Sequence, residues 1–280
     1  MNEQILNTVE DSAMIAKETG LIRIVSLNAN GLRAAASKGF IEWLDASDID
    51  IICLQETRLH GHQWLESHKP ALWHTHLFSA EKAGYAGTAI YSRLPFVKIT
   101  DGLGFDLCDS EGRCTIATFE VNGKTFDVAS VYIPSGSSSE LAQARKDEFI
   151  QNMLPIFKTW RDENRSVIFC SDVNITHKDI DLKNWKGNIG NSGCLPHERA
   201  WMDDVFSLGY IDTFRELNKN AEEYSWWSNR GQAWAKNVGW RIDYQIASPD
   251  WKSQIKNVFI YRDMRFSDHS PVIIDYQITV

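Results

Sequence analysis

Positive charge is the minority sign in this chain. Its 280 residues include 29 Lys and Arg against 37 Asp and Glu, a net charge of −8. Generic nucleic-acid binders neutralise many phosphates at once and need cations to do so, so the balance argues against that class. A nuclease is not, because acids gathered at a metal site add negative charge while the basic surface stays local. Cysteine is also scarce. Cys53, Cys108, Cys114, Cys170 and Cys194 form no C-x-x-C pair and are odd in number, which argues against a disulfide framework or a zinc knuckle. No apolar run approaches a membrane span. Residues 1–20 lack the basic and apolar regions of a secretory leader, so a cytoplasmic, reduced protein without membrane contact is expected.

What is present is enough hydrophobic sequence, 43% of the chain, to bury one large core. Residues 1–20 read as a polar, disordered arm, and 21–280 as one domain. Short β-branched runs predict strands at 22–27, 50–54, 88–92, 114–121, 125–133, 166–171, 240–247, 255–261 and 271–278. Helices are expected at 38–46, 139–160 and 197–208. In the longest, Leu141, Ile150, Met153, Leu154 and Phe157 are read as one apolar side. Many strands with few helices disfavour a doubly wound parallel sheet and fit two packed sheets flanked by helices.

The predicted strands end in acids, amides and one histidine: Asn28 and Asn30, Glu56, Tyr132, Asp172 and Asn174, Asp243, then Asp268 and His269. Polar groups at strand ends can converge on one rim of a layered fold. Several carboxylates with amide oxygens and no thiolate set suit a hard cation, Mg²⁺ or Mn²⁺, better than zinc. Singly these residues are more often turns or caps. Trp226 and Trp227 are adjacent in a strand, so one faces the core and the other faces out. His60, His62, His68, His74 and His76 have no acids patterned around them and are read as surface residues.

The order of the polar blocks is more specific than any one of them. Ser26–Ala34 (SLNANGLRA), Leu54–Thr57 (LQET), Gly84–Thr88 with Ser92-Arg93, Tyr132–Gly136, Ser171–Asn174 (SDVN), Asn237–Tyr244 (NVGWRIDY) and Ser267–Pro271 (SDHSP) follow one another along residues 21–279. This series resembles the exonuclease III/AP-endonuclease family of the endonuclease/exonuclease/phosphatase superfamily. The resemblance implies a four-layer α/β sandwich, two mixed sheets face to face with helices outside. It implies metal-dependent hydrolysis of DNA phosphodiesters at abasic sites or 3′ ends.

Carried over by position, the resemblance makes Glu56 the metal ligand, with Asn30 beside it. Asp268 becomes a second ligand, or sits one step removed. Asp172 would handle the attacking water with Asn174. His269 would meet the scissile phosphate, held by Asp243, while Tyr132 and Asn28 give hydrogen-bond support. Trp226, Trp240 and Ile242 would wall an abasic-sugar pocket, and Arg33, Lys38, Lys236 and Arg241 would meet double-stranded DNA at its phosphates. A monomer is expected. Two alternatives stay open: another phosphoesterase or DNase I-like nuclease of the superfamily, and a non-catalytic DNA-binding relative. Ser171 replaces the usual Gly, and Cys194 and His197 stand where an aromatic and an acid or amide are expected.

Overall fold

The structure, a computed structural model, describes residues 16–278. Fourteen strands follow in order: β1 (Leu21–Asn28), β2 (Ile51–Gln55), β3 (His74–Phe78), β4 (Thr88–Ser92), β5 (Lys98–Asp101), β6 (Cys114–Val121), β7 (Lys124–Tyr132), β8 (Val167–Asp172), β9 (Ile211–Asp212), β10 (Trp226–Trp227), β11 (Gly239–Trp240), β12 (Asp243–Ala247), β13 (Ile255–Ile260) and β14 (Val272–Gln277). Seven α-helices lie among them: α1 (Leu32–Ala36), α2 (Phe40–Ala46), α3 (Asp106–Asp109), α4 (Glu140–Asp162), α5 (Trp185–Asn188), α6 (Pro196–Ser207) and α7 (Thr213–Leu217).

The strands form two six-stranded sheets, ordered β13-β14-β1-β2-β4-β3 and β5-β6-β7-β8-β12-β9, and a separate β10-β11 hairpin. Each sheet holds one parallel pair, β1–β2 and β7–β8, among antiparallel neighbours. Period-2 alternation explains the layering. On β1, Ile22 and Ile24 face the other sheet, joining Ile51, Phe126, Ile168 and Tyr276. Val25 and Leu27 point the other way, onto Phe40, Trp43 and Leu44 of α2. The second sheet packs its outer face on Phe149, Met153 and Phe157 of α4 and Trp201 of α6. Both faces of the central strands are therefore apolar, and the runs read as continuous rather than alternating. The expected α/β sandwich is the observed fold.

Two buried amides tie the sheets together. Gln245 on β12 donates through Nε2 to the Ile24 and Val272 carbonyls, at 2.9 and 3.0 Å, and its Oε1 accepts from Tyr276 at 3.0 Å. Gln55 on β2 reaches back, donating to Ser130 Oγ at 3.2 Å.

Two expectations change. Leu141 is 73% exposed. It lies twelve residues before Met153, so at ~100° per residue it sits about 120° around the helix from the apolar face. The inward positions of α4 are Lys146, Phe149, Ile150, Met153, Phe157 and Trp160, and one of them is a charge. The strand expected at 240–247 is broken: β11 pairs with β10, while β12 enters the second sheet. The arm expected over 1–20 mostly lies outside the described residues, but from Lys17 the chain is anchored. Lys17 N donates to Asp48 Oδ2 at 2.6 Å and Nζ to Asp50 Oδ2 at 2.5 Å.

Gln245→Leu removes one inter-sheet tie and strands two carbonyls and a phenol. It is expected to lower unfolding stability by about 2–4 kcal/mol, measured by urea denaturation. A loss below about 0.5 kcal/mol would show that the amide is not a structural tie.

Candidate active site

Asp172 ends β8 and Asp243 begins β12, and the antiparallel register sets them directly opposite one another. His269 comes from the turn before β14, held to the β10 hairpin by a bridge with Trp226. Its Nδ1 lies 2.9 Å from Asp243 Oδ2 and 3.1 Å from Oδ1. A carboxylate can only accept, so Nδ1–H donates. Nε2 remains on the cleft side, 3.9 Å from Asp172 Oδ2. Burial alone would lower the pKa of His269. The charges of Asp243 and Asp172 outweigh it and raise the ring to about 10, so His269 is an imidazolium at neutral pH. Ser225 donates to Asp243 Oδ2 at 2.6 Å, and its own oxygen accepts from the Ile242 and Asp243 N–H groups at 3.1 Å.

Asp172 is fixed from three directions. Oδ2 accepts from Asn28 Nδ2 at 2.8 Å and Asn174 Nδ2 at 3.2 Å, and Oδ1 accepts from the Asn174 backbone at 3.0 Å. Burial pushes its pKa up, and Asp243 and Glu56 push the same way against the pull of His269, leaving it at about 7. That value suits a group that takes a proton from water near neutrality.

Glu56 follows β2 in left-handed backbone, φ 53°, as do Asn30 (45°), Arg58 (51°) and Asn174 (56°). Side chains other than Gly adopt this region at a cost, and such residues cluster at functional sites. Here Gly31 N and Leu32 N donate to the Glu56 and Thr57 carbonyls, at 2.8 and 2.9 Å. Ala86 and Gly87 carbonyls accept from Arg58 N and Thr57 N, at 2.8 and 3.1 Å. The Gly84–Thr88 block is thus the brace of the Glu56 turn. A Cβ on Gly87 would lie 2.5 Å from Thr57 Oγ1, which explains the glycine. Glu56 Oε2 accepts from Asn28 Nδ2 at 3.0 Å, and Oε1 pairs with Arg58.

Asp268 Oδ1 accepts from Asn30 Nδ2 at 2.7 Å and Oδ2 from Trp226 Nε1 at 3.1 Å. Burial would raise its pKa, but His269, Asn30 and Trp226 hold it below the usual range. Tyr132 is pushed well above the ordinary phenol value by burial and then by Glu56 and Asp172, so it keeps its proton and can donate.

Glu56, Asn30 and Asp268 fit a hard divalent cation by their chemistry: carboxylate and amide oxygens, no sulfur, and one carboxylate already held ionised. Asp172, Asp243 and His269 also bring potential ligand atoms within 4.8 Å of one another. In that second group the His269 Nδ1–H is already donated to Asp243.

One cleft of about 760 Å³ gathers Glu56, Asn30, Asp268, Tyr132, Asp172, Asn174, His269, Trp226, Trp240 and Ile242. Asn28 and Asp243 stand behind it. Trp226 and Trp240 meet edge to face, their centroids 6.3 Å apart at 89°, while Trp227 is fully buried. Arg33, Lys38 and Lys236 are exposed. Arg241 is not. It is 1% exposed and bonds Asp181 and Asp212, so its expected phosphate contact is withdrawn. Two carboxylates draw its guanidinium inward, and that same turn breaks the β11–β12 run. His68 is also buried and accepts from Leu65 N, contrary to a surface role, whereas His76 stays at the surface and pairs with Asp101 there.

Sequence reasoning missed Arg58, Ser225, Leu195 and Gln143. Arg58 follows the LQET block directly, so its place was legible. Ser225 carries no motif and acts only because a hairpin brings it to Asp243. Cys194 is buried and does not line the cleft, whereas Leu195 does. His197 pairs with Asp147 at 2.9 Å.

The Arg241 network makes a pH prediction. Burial would raise the Asp181 pKa, but Arg241 and then Arg215 outweigh it and hold the carboxyl at about 2. This lies below the unfolded value of about 3.9, so the stabilisation is present above about pH 4 and is lost as pH falls toward 2. Asp181→Asn is expected to lower stability at pH 7 by about 2–3 kcal/mol. The gap from the parent should close as denaturation is repeated between about pH 4 and 2. A gap constant over that range would refute the assignment.

The Endonuclease/Exonuclease/phosphatase family model matches residues 25–269. An exodeoxyribonuclease of Bacillus subtilis is 37% identical over 90% of this chain and 98% of its own length. A DNA-(apurinic or apyrimidinic site) endonuclease of Dictyostelium discoideum is 32% identical over 91% of this chain and 70% of its own. The structure of a 3′-5′ exonuclease from Neisseria meningitidis superposes with a TM-score of 0.79 at 25% identity, covering 92% of this chain and all of that one. With the motif order, the sandwich and the rim constellation all agreeing, the chain belongs to the exonuclease III/AP-endonuclease family of DNA-repair nucleases.

Proposed function

We propose that this enzyme, acting as a monomer in a reduced cytoplasm, hydrolyses phosphodiesters of double-stranded DNA at abasic sites and 3′ ends and leaves 3′-hydroxyl products. The observation that carries the reading is the pairing of two environments in one cleft. A carboxylate poised near neutrality and an imidazolium share the space with flat apolar walls at Trp226, Trp240 and Ile242. The walls suit a sugar without a base and exclude an intact nucleotide by size.

In this mechanism Asp172 accepts the proton of the attacking water, and the Asn174 amide holds that carboxylate in place. His269 donates through Nε2–H to a phosphate oxygen and stabilises the charge that develops there. Asp243 fixes its tautomer and keeps it charged, and Ser225 steadies Asp243. Tyr132 donates a further hydrogen bond. A Mg²⁺ ion, or Mn²⁺, held by Glu56 with Asn30 and Asp268, would supply Lewis-acid neutralisation of phosphate charge. Arg33, Lys38 and Lys236 set the duplex in register without reading its bases. Five free, buried cysteines agree with a reduced compartment, and none of the described helices is long and apolar enough to cross a membrane.

The test is an end-labelled duplex panel carrying an abasic site, a 3′-phosphate or a plain recessed 3′ end, assayed with Mg²⁺. Cleavage of the abasic strand is expected, abolished by excess chelator. His269→Ala is expected to lower kcat by about 10²–10⁴-fold. Trp240→Ala should raise KM for the abasic duplex more than for the 3′-phosphate. Activity that survives the chelator or His269→Ala would defeat the mechanism. A folded protein inert on every duplex would defeat the function.

A further inference from the structure

One buried charge has no part in the chemistry above. Lys146 sits in the apolar stripe of α4, and its side chain and that of Glu198 on α6 are both fully buried. The cost of burying two charges is recovered only if every donor and acceptor is used, and here almost all are. Lys146 Nζ donates to Glu198 Oε1 at 2.6 Å and to the Asn174 carbonyl at 2.7 Å. Glu198 Oε2 accepts from the backbone N–H groups of Gly193, at 2.7 Å, and Leu195, at 3.0 Å. Gln143 Nε2 is a second donor to Oε1 at 3.0 Å.

The partners belong to two different parts of the site. Asn174 closes the turn that fixes Asp172. Gly193 and Leu195 belong to the loop on the sugar side of the cleft. A second observation joins the same two parts. Gly193 has φ +88°, and a Cβ there would fall 2.9 Å from the Asn174 carbonyl oxygen and 3.0 Å from Trp240 Cζ3. Turn, loop and pocket wall are thus packed in direct contact, with the ion pair beneath them.

We propose that Lys146 and Glu198 are positioning residues for the reaction: the buried pair locks the Asp172–Asn174 turn to the Gly193–Leu195 loop, so that water and sugar are held at a set separation. This rests on the function proposed above. It explains why a charge occupies a stripe that a leucine would fill with less desolvation. Lys146 anchors the turn and so governs kcat. Glu198 anchors the loop and so governs KM for a substrate that enters the pocket.

The test compares the wild-type enzyme with Lys146→Met/Glu198→Leu, a swap of a buried pair for apolar groups that is often neutral for folding. Cooperative urea unfolding is expected, with a midpoint below the parent's because the swap leaves the Gly193 and Leu195 N–H groups and the Asn174 carbonyl without these partners. On the abasic duplex kcat should fall by about 10–100-fold and KM rise. Amide exchange by mass spectrometry should quicken about ten-fold or more over 173–174 and 193–195 together, with β1 and β8 unchanged. Gly193→Ala, which leaves the pair intact and forces loop from turn, should lose kcat on the same duplex. It serves as the second variant if the double one does not fold. Wild-type kcat, KM and exchange in a folded variant would overturn the proposal, as would quickened exchange in only one segment. If the wild type fails to cut DNA the proposed function falls, while the exchange comparison still decides whether the pair joins turn and loop.

Discussion

The register between β8 and β12 is the constraint on which the cleft depends. It sets Asp172 opposite Asp243 at the end of the second sheet. Two carboxylates this close and this buried cannot both ionise without a cation between or beside them. His269 meets that need, and its charge follows from the pair rather than from its own ordinary pKa. A one-residue slip of either strand would turn its acid to the opposite face of the sheet, away from the other. The buried alternation of Phe169, Tyr244 and Ile246 against α4 and α6 forbids that slip.

A second consequence is how the chain handles its negative charge. Glu56, Asp172, Asp243 and Asp268 crowd one rim, yet each has named donors: Asn28, Asn30, Asn174, Ser225, Trp226, Arg58 and His269. Neutral amides do much of this work. They hold Asp172 and Asp268 in place without adding a cation, whereas Glu56 also carries the Arg58 guanidinium on Oε1. Arginine is used elsewhere for scaffolding, as Arg241 shows between Asp181 and Asp212. Arg33, Lys38 and Lys236 remain exposed, and a net charge of −8 is compatible with a nuclease.

Much of the fold was legible because its central strands are apolar on both faces and end in polar punctuation. β1, β2, β4, β6, β7 and β8 fall close to their sequence-predicted bounds for that reason. β3 and β5 did not show, because edge strands such as His74–Phe78 and Lys98–Asp101 keep much of their surface in solvent and carry polar residues. β9, β10 and β11 are two residues each, too short for any periodicity. Leu141 was misplaced because helical spacing says which residues share a side and not where the helix leaves its sheet.

The sequence by itself determined the chemistry: oxygen-donor acids and amides at strand ends, one histidine with an acid to hold it, and flat apolar residues beside them, in an order that marks the family. Tertiary structure decided which of those groups face the cleft. Arg241 sits between Ile242 and the pocket tryptophan Trp240 in one continuous motif, yet it turns inward because Asp181 and Asp212, dozens of residues away in the chain, meet it there. Ser225, Lys146 and Glu198 belong to no motif, and they matter only through partners that folding brings from other elements. Local pattern records side-chain chemistry and periodicity, whereas the pKa values, the strain at Glu56 and the joining of turn to loop come from contacts between distant segments.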